Sequence, residues 1–340
     1  MNETDQARLS DWLRANVAGF RGGARLQPLA GGQSNPTYRV DAGEHRWVLR
    51  RKPPGVLLAS AHAVDREYRV MAALAGTDVP VPRVHALCED PAVIGSTFVV
   101  MDLVEGRVFV DPSLPGMAPS ERDAIYAAMA RTLAAIHRVD VAAVGLSGHG
   151  KPQNYLTRQI ERWTRQYRAS ETERIEAMER LIEWLPAHLP PGLDDEPGTL
   201  VHGDYRLDNL IFHPTEPRVL AVIDWELSTL GHPLADLAYH LMAWRVTPDE
   251  FRGLKGHDLA ALGIPDEAAH LGHYLAAGGR APGDHLDLLM AFNMFRMAAI
   301  LQGILARSLQ GNAAAADART TGERARRMAE AGWRQAQAHA

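Results

Sequence analysis

The sequence predicts an α+β fold, a small first lobe built on an antiparallel sheet followed by a larger lobe that is mostly helical. Two observations predict it. Short apolar and β-branched runs bounded by Gly, Pro and Asn crowd residues 1–104, as strands do, whereas in residues 105–340 apolar residues recur mainly at helical spacing. Runs of strands followed by runs of helices belong to the α+β class rather than to an alternating one. The 340 residues suit one large domain or two lobes and are ample for a buried core.

In chain order, Leu9, Trp12, Leu13 and Val17 lie at helical spacing and predict a helix over residues 4–18 that ends near Gly19. Strands follow at residues 25–29, 37–40 and 46–50, the first two joined by Gly31-Gly32-Gln33-Ser34-Asn35. Residues without bulky side chains let backbone N–H groups approach phosphate oxygens, and they also suit a plain hairpin turn; Ser34 and Asn35 are the best placed polar groups. Strand alternation puts Arg50 and Lys52 on one face, until Pro53-Pro54 ends the strand. A helix over residues 60–74 carries Val64, Tyr68, Met71 and Leu74 on one face, and strands at 81–84 and 97–103 complete a sheet of about five strands.

The second lobe opens with a helix at Pro119, with Ser120 as its N-cap and Ile125, Met129, Leu133 and Ile136 as its buried stripe. Helices are expected at 155–167 and at 170–185, the latter with a Ser170/Glu173 capping box. The proline-rich run 189–198 is a loop. Beyond it come a helix over 235–245, a Thr247/Glu250 capping box with Pro248 at the first helical position, a helix from Pro265 to Gly278, a long apolar helix over 284–309 and an amphipathic tail over 313–340. His270 and His273, three apart with no third ligand nearby, read as exposed helix residues rather than metal ligands.

Chemistry concentrates in residues 201–226, VHGDYRLDNLIFHPTEPRVLAVIDWE. Leu210–Phe212 and Val219–Ile223 are apolar runs flanking a turn with Pro214 and Pro217, which makes a β-hairpin. Asn209 precedes its first strand and Asp224 follows its second, so antiparallel pairing brings both side-chain oxygens to one end. Two hard oxygen ligands supplemented by phosphate oxygens suit Mg²⁺. Asp204 sits on the loop entering the hairpin and is available to a substrate hydroxyl; Asp208 reads as a turn residue.

H-G-D-Y-R-L-D-N at 202–209 and I-D-W-E at 223–226 resemble the catalytic loop and metal-binding segment of the aminoglycoside phosphotransferase family of small-molecule kinases, a variant of the protein kinase pattern. The resemblance spans residues 25–310. It implies a protein kinase-like bilobal fold using ATP and Mg²⁺, with Asp204 as catalytic base, Arg206 facing the transferred phosphate, Asn209 and Asp224 on the metal, and His202 bracing the loop. It puts Arg50 in the slot of the phosphate-contacting lysine, a departure that leaves Arg50 and Lys52 both open, with Glu67 as the ion-pair partner. Met101 to Gly106 takes the place of the hinge, where Met101 and Leu103 would offer backbone groups to adenine; Met101 fits ordinary core equally well. Asp236, in G-x-x-x-x-D-L-A, would support the catalytic loop or cap its own helix, and Trp244, Arg245 and Arg296 are candidates to line the substrate site. G-G-Q-S-N-P-T-Y, V-L-R-R-K-P-P-G and R-E-Y-R-V-M-x-A-L look most like the kinase-like domain found beside some acyl-CoA dehydrogenases. This implies phosphorylation of a hydroxyl, as on a hydroxyacyl-CoA; the rival readings are an aminoglycoside, choline or sugar kinase and a nucleotide-binding pseudokinase.

A net charge of -5 gives no global attraction to nucleic acid or an anionic membrane surface, so the expected partner is a small-molecule hydroxyl substrate, with the chain a monomer or homodimer. A lone cysteine, Cys88, excludes an internal disulfide framework. The amino-terminal residues lack the apolar stretch of a secretory signal, and the expected location is the cytoplasm.

Overall fold

A computed structural model describes residues 3–29, 35–43, 45–53, 63–195, 198–311 and 317–339. The chain divides into two compact units, residues 1–107 with 209–228, and residues 108–208 with 229–340. The hairpin thus groups with the first unit, whereas a division after residue 104 assigns it to the second. Its attachments explain the grouping: Val222 N–H donates to Pro80 O at 2.8 Å, and Arg107 and Phe212 exchange backbone hydrogen bonds at 2.8 Å. Gly106 is required there, because an added Cβ would lie 2.2 Å from Phe212 O.

The first unit contains α1 (Glu3–Asn16), β1 (Arg25–Pro28), β2 (Thr37–Ala42), β3 (His45–Arg51), α2 (Val64–Leu74), β4 (Val84–Cys88), α3 (Pro91–Ile94) and β5 (Phe98–Asp102). Its antiparallel five-stranded sheet runs β1-β2-β3-β5-β4. Alternation buries Trp47 and Leu49 of β3 on one face against Leu9, Leu13, Val17, Phe98 and Val100. Arg50 therefore projects from the opposite face. The hairpin adds β7 (Leu210–Phe212) and β8 (Val219–Val222), paired antiparallel as expected, with a register shift between Ile211 and Phe212.

The second unit is mostly helical. It contains α4 (Pro119–His137), α5 (Tyr155–Ser170), α6 (Glu176–His188), β6 (Thr199–Val201), β9 (Thr229–Gly231), α7 (Pro233–Arg245), α8 (Pro248–Phe251), α9 (Leu259–Leu262), α10 (Glu267–Ala276), α11 (Leu286–Leu309), α12 (Ala318–Gly322) and α13 (Ala325–His339). The segment Gly283–Leu309 is apolar and long enough to cross a membrane, yet 83% of its most apolar window is buried within the protein. Its apolarity serves the core, where Leu289, Phe292 and Phe295 are at most 2% exposed.

Several boundaries differ from the expectation. The fourth strand lies at 84–88 rather than 81–84, because Pro80 and Pro82 have no N–H for a ladder. Ser120 lies inside α4, whose cap is Ala118 with Pro119 at the first helical position. Ser170 ends α5 rather than opening the next helix, its hydroxyl donating to Gln166 O at 2.9 Å, and α6 starts at Glu176 without a side-chain cap. His270 is fully buried, not exposed, and stacks on Trp244 with ring centroids 4.5 Å apart. The start of the helix expected at residue 60 lies outside the described residues, as do Gly31 to Ser34.

Candidate active site

In the first unit the structure brings Arg50, Glu67 and Asp224 together. Arg50 Nη2 donates to Asp224 Oδ1 at 2.7 Å. Its Nε lies 3.0 Å from Glu67 Oε2, close enough for an ion pair but misaligned for a hydrogen bond. Lys52 turns instead to Asp65, at 3.0 Å. Glu67 is 1% exposed; burial pushes its carboxyl up to about 8, opposed by the Arg50 guanidinium and assisted by Asp224 and Glu226. Burial disfavours the charge of Arg50, yet Glu67, Asp224 and Glu226 together raise its pKa.

Asn209 and Asp224 flank the open end of the hairpin, where Ile223 N–H donates to Asn209 O at 3.0 Å. Asp224 occupies the left-handed region with φ 65°, a conformation Asp tolerates better than most residues and one that recurs at functional sites. One carboxylate and one amide on a fixed hairpin end are hard oxygen donors too few to enclose a cation, so the donor set fits Mg²⁺ completed by phosphate oxygens and water. Among the described residues there is no cluster of three His, Cys, Asp or Glu side chains able to hold a metal. Asn35, fully buried, donates from Nδ2 to Glu226 Oε2 at 2.9 Å, and among the described residues its Oδ1 has no hydrogen-bond partner. Ser34 lies outside the described residues. Met101 is buried within β5, its backbone in register with Val48 and Val84, and Leu103 lies just past the strand end.

In the second unit Asp204 is held from two sides. Tyr239 OH donates to Asp204 Oδ1, and Arg206 Nε donates to the same oxygen at 3.0 Å. Burial raises the Asp204 pKa, but Arg206, the Tyr239 hydrogen bond, His202 and Arg296 outweigh it and hold the carboxyl below its usual range. The loop before it is fixed by Asp236, whose carboxylate accepts from His202 N–H at 2.7 Å and Gly203 N–H at 2.9 Å. Gly203 has φ 80°, which explains the glycine of H-G-D. His202 is fully buried, its Nδ1 accepting from Asp204 N–H at 3.2 Å, and Arg296 donates to Gly203 O. Asp236 lies in the first turn of α7, whose N-cap is His232, so it braces the loop rather than capping its own helix.

Two features were not legible in the motifs. Asp208, read as a turn residue, lies 3.3 Å from Arg206 Nη1 and also accepts from Arg252. Tyr239 carried no signal by itself, although its i+3 spacing from Asp236 puts both on one face of α7. A pocket of about 60 Å³ opens beside these groups, walled chiefly by apolar side chains such as Val110, Met129, Met242, Trp244 and Phe251, with Arg206, Asp208, Tyr239 and Arg252 at its polar side. Of the proposed lining residues Trp244 is in this wall, whereas Arg245 pairs with Glu267 and Arg296 lies behind Gly203.

Residues 25–271 match the model of the phosphotransferase enzyme family. The chain is 51% identical over 305 residues to acyl-CoA dehydrogenase family member 10 of Mus musculus, covering 89% of this chain but 28% of that relative. It spans less than half the length of the curated relatives it matches. A solved Ralstonia eutropha protein named for aminoglycoside phosphotransferases is 53% identical and superposes with a TM-score of 0.88 over 98% of each chain. A thermostable aminoglycoside phosphotransferase mutant, solved as a ternary complex with ADP and hygromycin B, shares the fold at 17% identity, with a TM-score of 0.58 over 95% of this chain and 97% of that one. With these neighbours the chain shares a kinase-like phosphotransferase fold, a sheet-based unit and a helical one.

Proposed function

We propose, from the premise that the chain belongs to the phosphotransferase enzyme family, that this phosphotransferase moves the terminal phosphoryl group of ATP to a hydroxyl of a hydroxyacyl-CoA. The observation that carries the reading is Asp204, a partly buried carboxylate kept ionised by Arg206 and Tyr239 on a loop that Asp236 fixes. Asp204 takes the proton of the acceptor hydroxyl as its oxygen bonds to the terminal phosphorus, and the bond from that phosphorus to the bridging oxygen breaks to release ADP. Arg206 offsets charge beside the base. Arg50, held by Glu67 and Asp224, is the cation for the nucleotide phosphates, with Lys52 turned away to Asp65. Asn35 fixes the end of the phosphate loop through Glu226, and the backbone of residues 101–103 meets the adenine edge. Asn209 and Asp224 would hold Mg²⁺, which when bound neutralises phosphate oxygens. Positioning and preorganised charge then supply most of the rate.

The acyl-CoA part rests on two supports. The curated relatives are named as acyl-CoA dehydrogenase family members, and the pocket beside Asp204 is walled mainly by apolar side chains, which suits an acyl chain better than a polycation. ADP release measured with hydroxyacyl-CoAs, aminoglycosides and amino alcohols tests the ranking, with Asp204→Ala as control. Turnover is expected with the hydroxyacyl-CoAs and is expected to fall by at least about 100-fold in the control. Turnover confined to aminoglycosides would overturn the choice of acceptor.

A further inference from the structure

Close to Asp204 the second unit gathers guanidinium groups that, among the described residues, form no direct ion pair with a carboxylate. Arg158 and Arg162 are four apart on α5 and so share a helix face, while Arg296 comes from α11. The guanidinium carbons of Arg162 and Arg296 lie 5.4 and 5.5 Å from the centroid of the Trp163 indole, and that of Arg296 lies 5.2 Å from the Tyr239 ring. Arg158 and Arg296 donate to the backbone oxygens of Lys151 and Gly203. Among the described residues none of the three forms an ion pair, in contrast to Arg168, Arg206, Arg245 and Arg252, each paired with a carboxylate.

This concentration of like charge is felt locally. Desolvation against the neighbouring protein and then the Arg296 charge lower the Arg162 pKa, although the side chain stays accessible to solvent. The buried Tyr155 phenol, raised by burial and by Asp236, feels Arg296, Arg162 and Arg158 in the opposite sense. Asp236 is already engaged by His137 and by the His202 and Gly203 N–H groups. The aromatic faces and backbone oxygens hold these guanidiniums in place, but the like charges repel one another, and an anion that joins them relieves that repulsion.

We propose that Arg158, Arg162 and Arg296 form a subsite for an anionic group carried by the acceptor, a phosphate or a carboxylate, with exposed Arg162 as the residue that reaches it. Planar guanidiniums bind such groups through paired N–H bonds. Tyr239 links this subsite to the rest: its hydroxyl holds Asp204, it lines the apolar pocket, and its ring meets Arg296. An acceptor would place its apolar part in the pocket, its hydroxyl at Asp204 and its charged end at the arginines. The identification of the ligand as acceptor rests on the phosphotransfer reading above, so the test is a binding measurement independent of turnover.

Calorimetry would compare the unmodified protein, Arg162→Gln and Arg162→Lys against four probes: a short 4-hydroxyacyl-CoA, the matching pantetheine ester without nucleotide phosphates, the free hydroxy acid, and Mg²⁺ with a non-hydrolysable ATP analogue. Arg162→Gln is expected to weaken the CoA ester on the order of tenfold, with Arg162→Lys recovering part of the loss and the pantetheine ester and ATP analogue unaffected. A loss confined to the free acid would equally support an anion subsite and assign it to a carboxylate. Equal loss for the uncharged ester, loss only for the ATP analogue, or no loss for any probe would overturn the proposal. Absent phosphoryl transfer with an intact Arg162 dependence would defeat the kinase reading and leave this one standing.

Discussion

Tyr239 and Arg206 meet at one oxygen of Asp204, so at the scale of the residue the base is aimed by two donors of different character. Removing the neutral one by Tyr239→Phe leaves Arg206, His202 and Arg296 as the charged and titratable groups facing the carboxylate. Its pKa then rises toward the ordinary range, and the acid limb of the kcat/KM profile is expected to move to higher pH while kcat falls about tenfold. An unchanged profile would show that Tyr239 only packs. Arg50→Lys should retain most activity, since an ammonium can still meet Glu67 and Asp224, whereas Arg50→Met should lose ATP affinity in an equilibrium titration. The placement of Asn209 and Asp224 at one end of the hairpin was legible because two apolar runs flanking a proline turn pair antiparallel. Tyr239 was not, because its meaning depends on how α7 rolls against a loop 35 residues earlier.

Elements carry the next level of organisation. The loop before Asp204 has no regular structure to satisfy its N–H groups, and the Asp236 carboxylate at the start of α7 does so. Asp236→Ala strands two buried donors and leaves His137 without its carboxylate, a loss of about 3 kcal/mol. Urea denaturation should register it, with Asp236→Asn intermediate. By contrast Thr247→Ala, which breaks a complete capping box on the short, half-buried α8, should cost about 1 kcal/mol, read in the same urea denaturation. The Thr247 cap and the hairpin were readable because their signals are local. The fourth strand and the α5–α6 boundary were not: Pro82 and Ser170 each suit several local geometries, and tertiary pairing with β5 and the packing of Tyr167 chose among them.

Across the whole molecule, charge and burial set how stability responds to pH. His240 and His270 lie 2.8 Å apart through their Nε2 atoms, both buried. Burial lowers the His240 pKa to about 4, with Asp236 and the Tyr205 backbone opposing and His137 assisting, and lowers that of His270 with help from His240 and His273. Because the folded-state values lie below the ordinary 6.5, the unfolded chain takes up these protons first. The stability they support is complete above about pH 6.5 and is lost as pH falls toward 4, by at most about 3 kcal/mol for His240. His240→Phe should flatten the Tm profile across that range. Fold class was legible at this scale because strand and helix periods occupy different stretches of the chain; the burial of His270 was not, since its i, i+3 spacing from His273 looks alike whether a helix face is wet or covered. Whether Asp204 is the base of a phosphoryl transfer is tested most directly by following label from the terminal phosphate of ATP into the acceptor, in the unmodified protein and in Asp204→Asn. Labelled phosphate ester is expected with the unmodified protein, and at least about 100-fold slower transfer in the variant with nucleotide affinity retained; transfer by Asp204→Asn at the unmodified rate would contradict a role for Asp204 as the base.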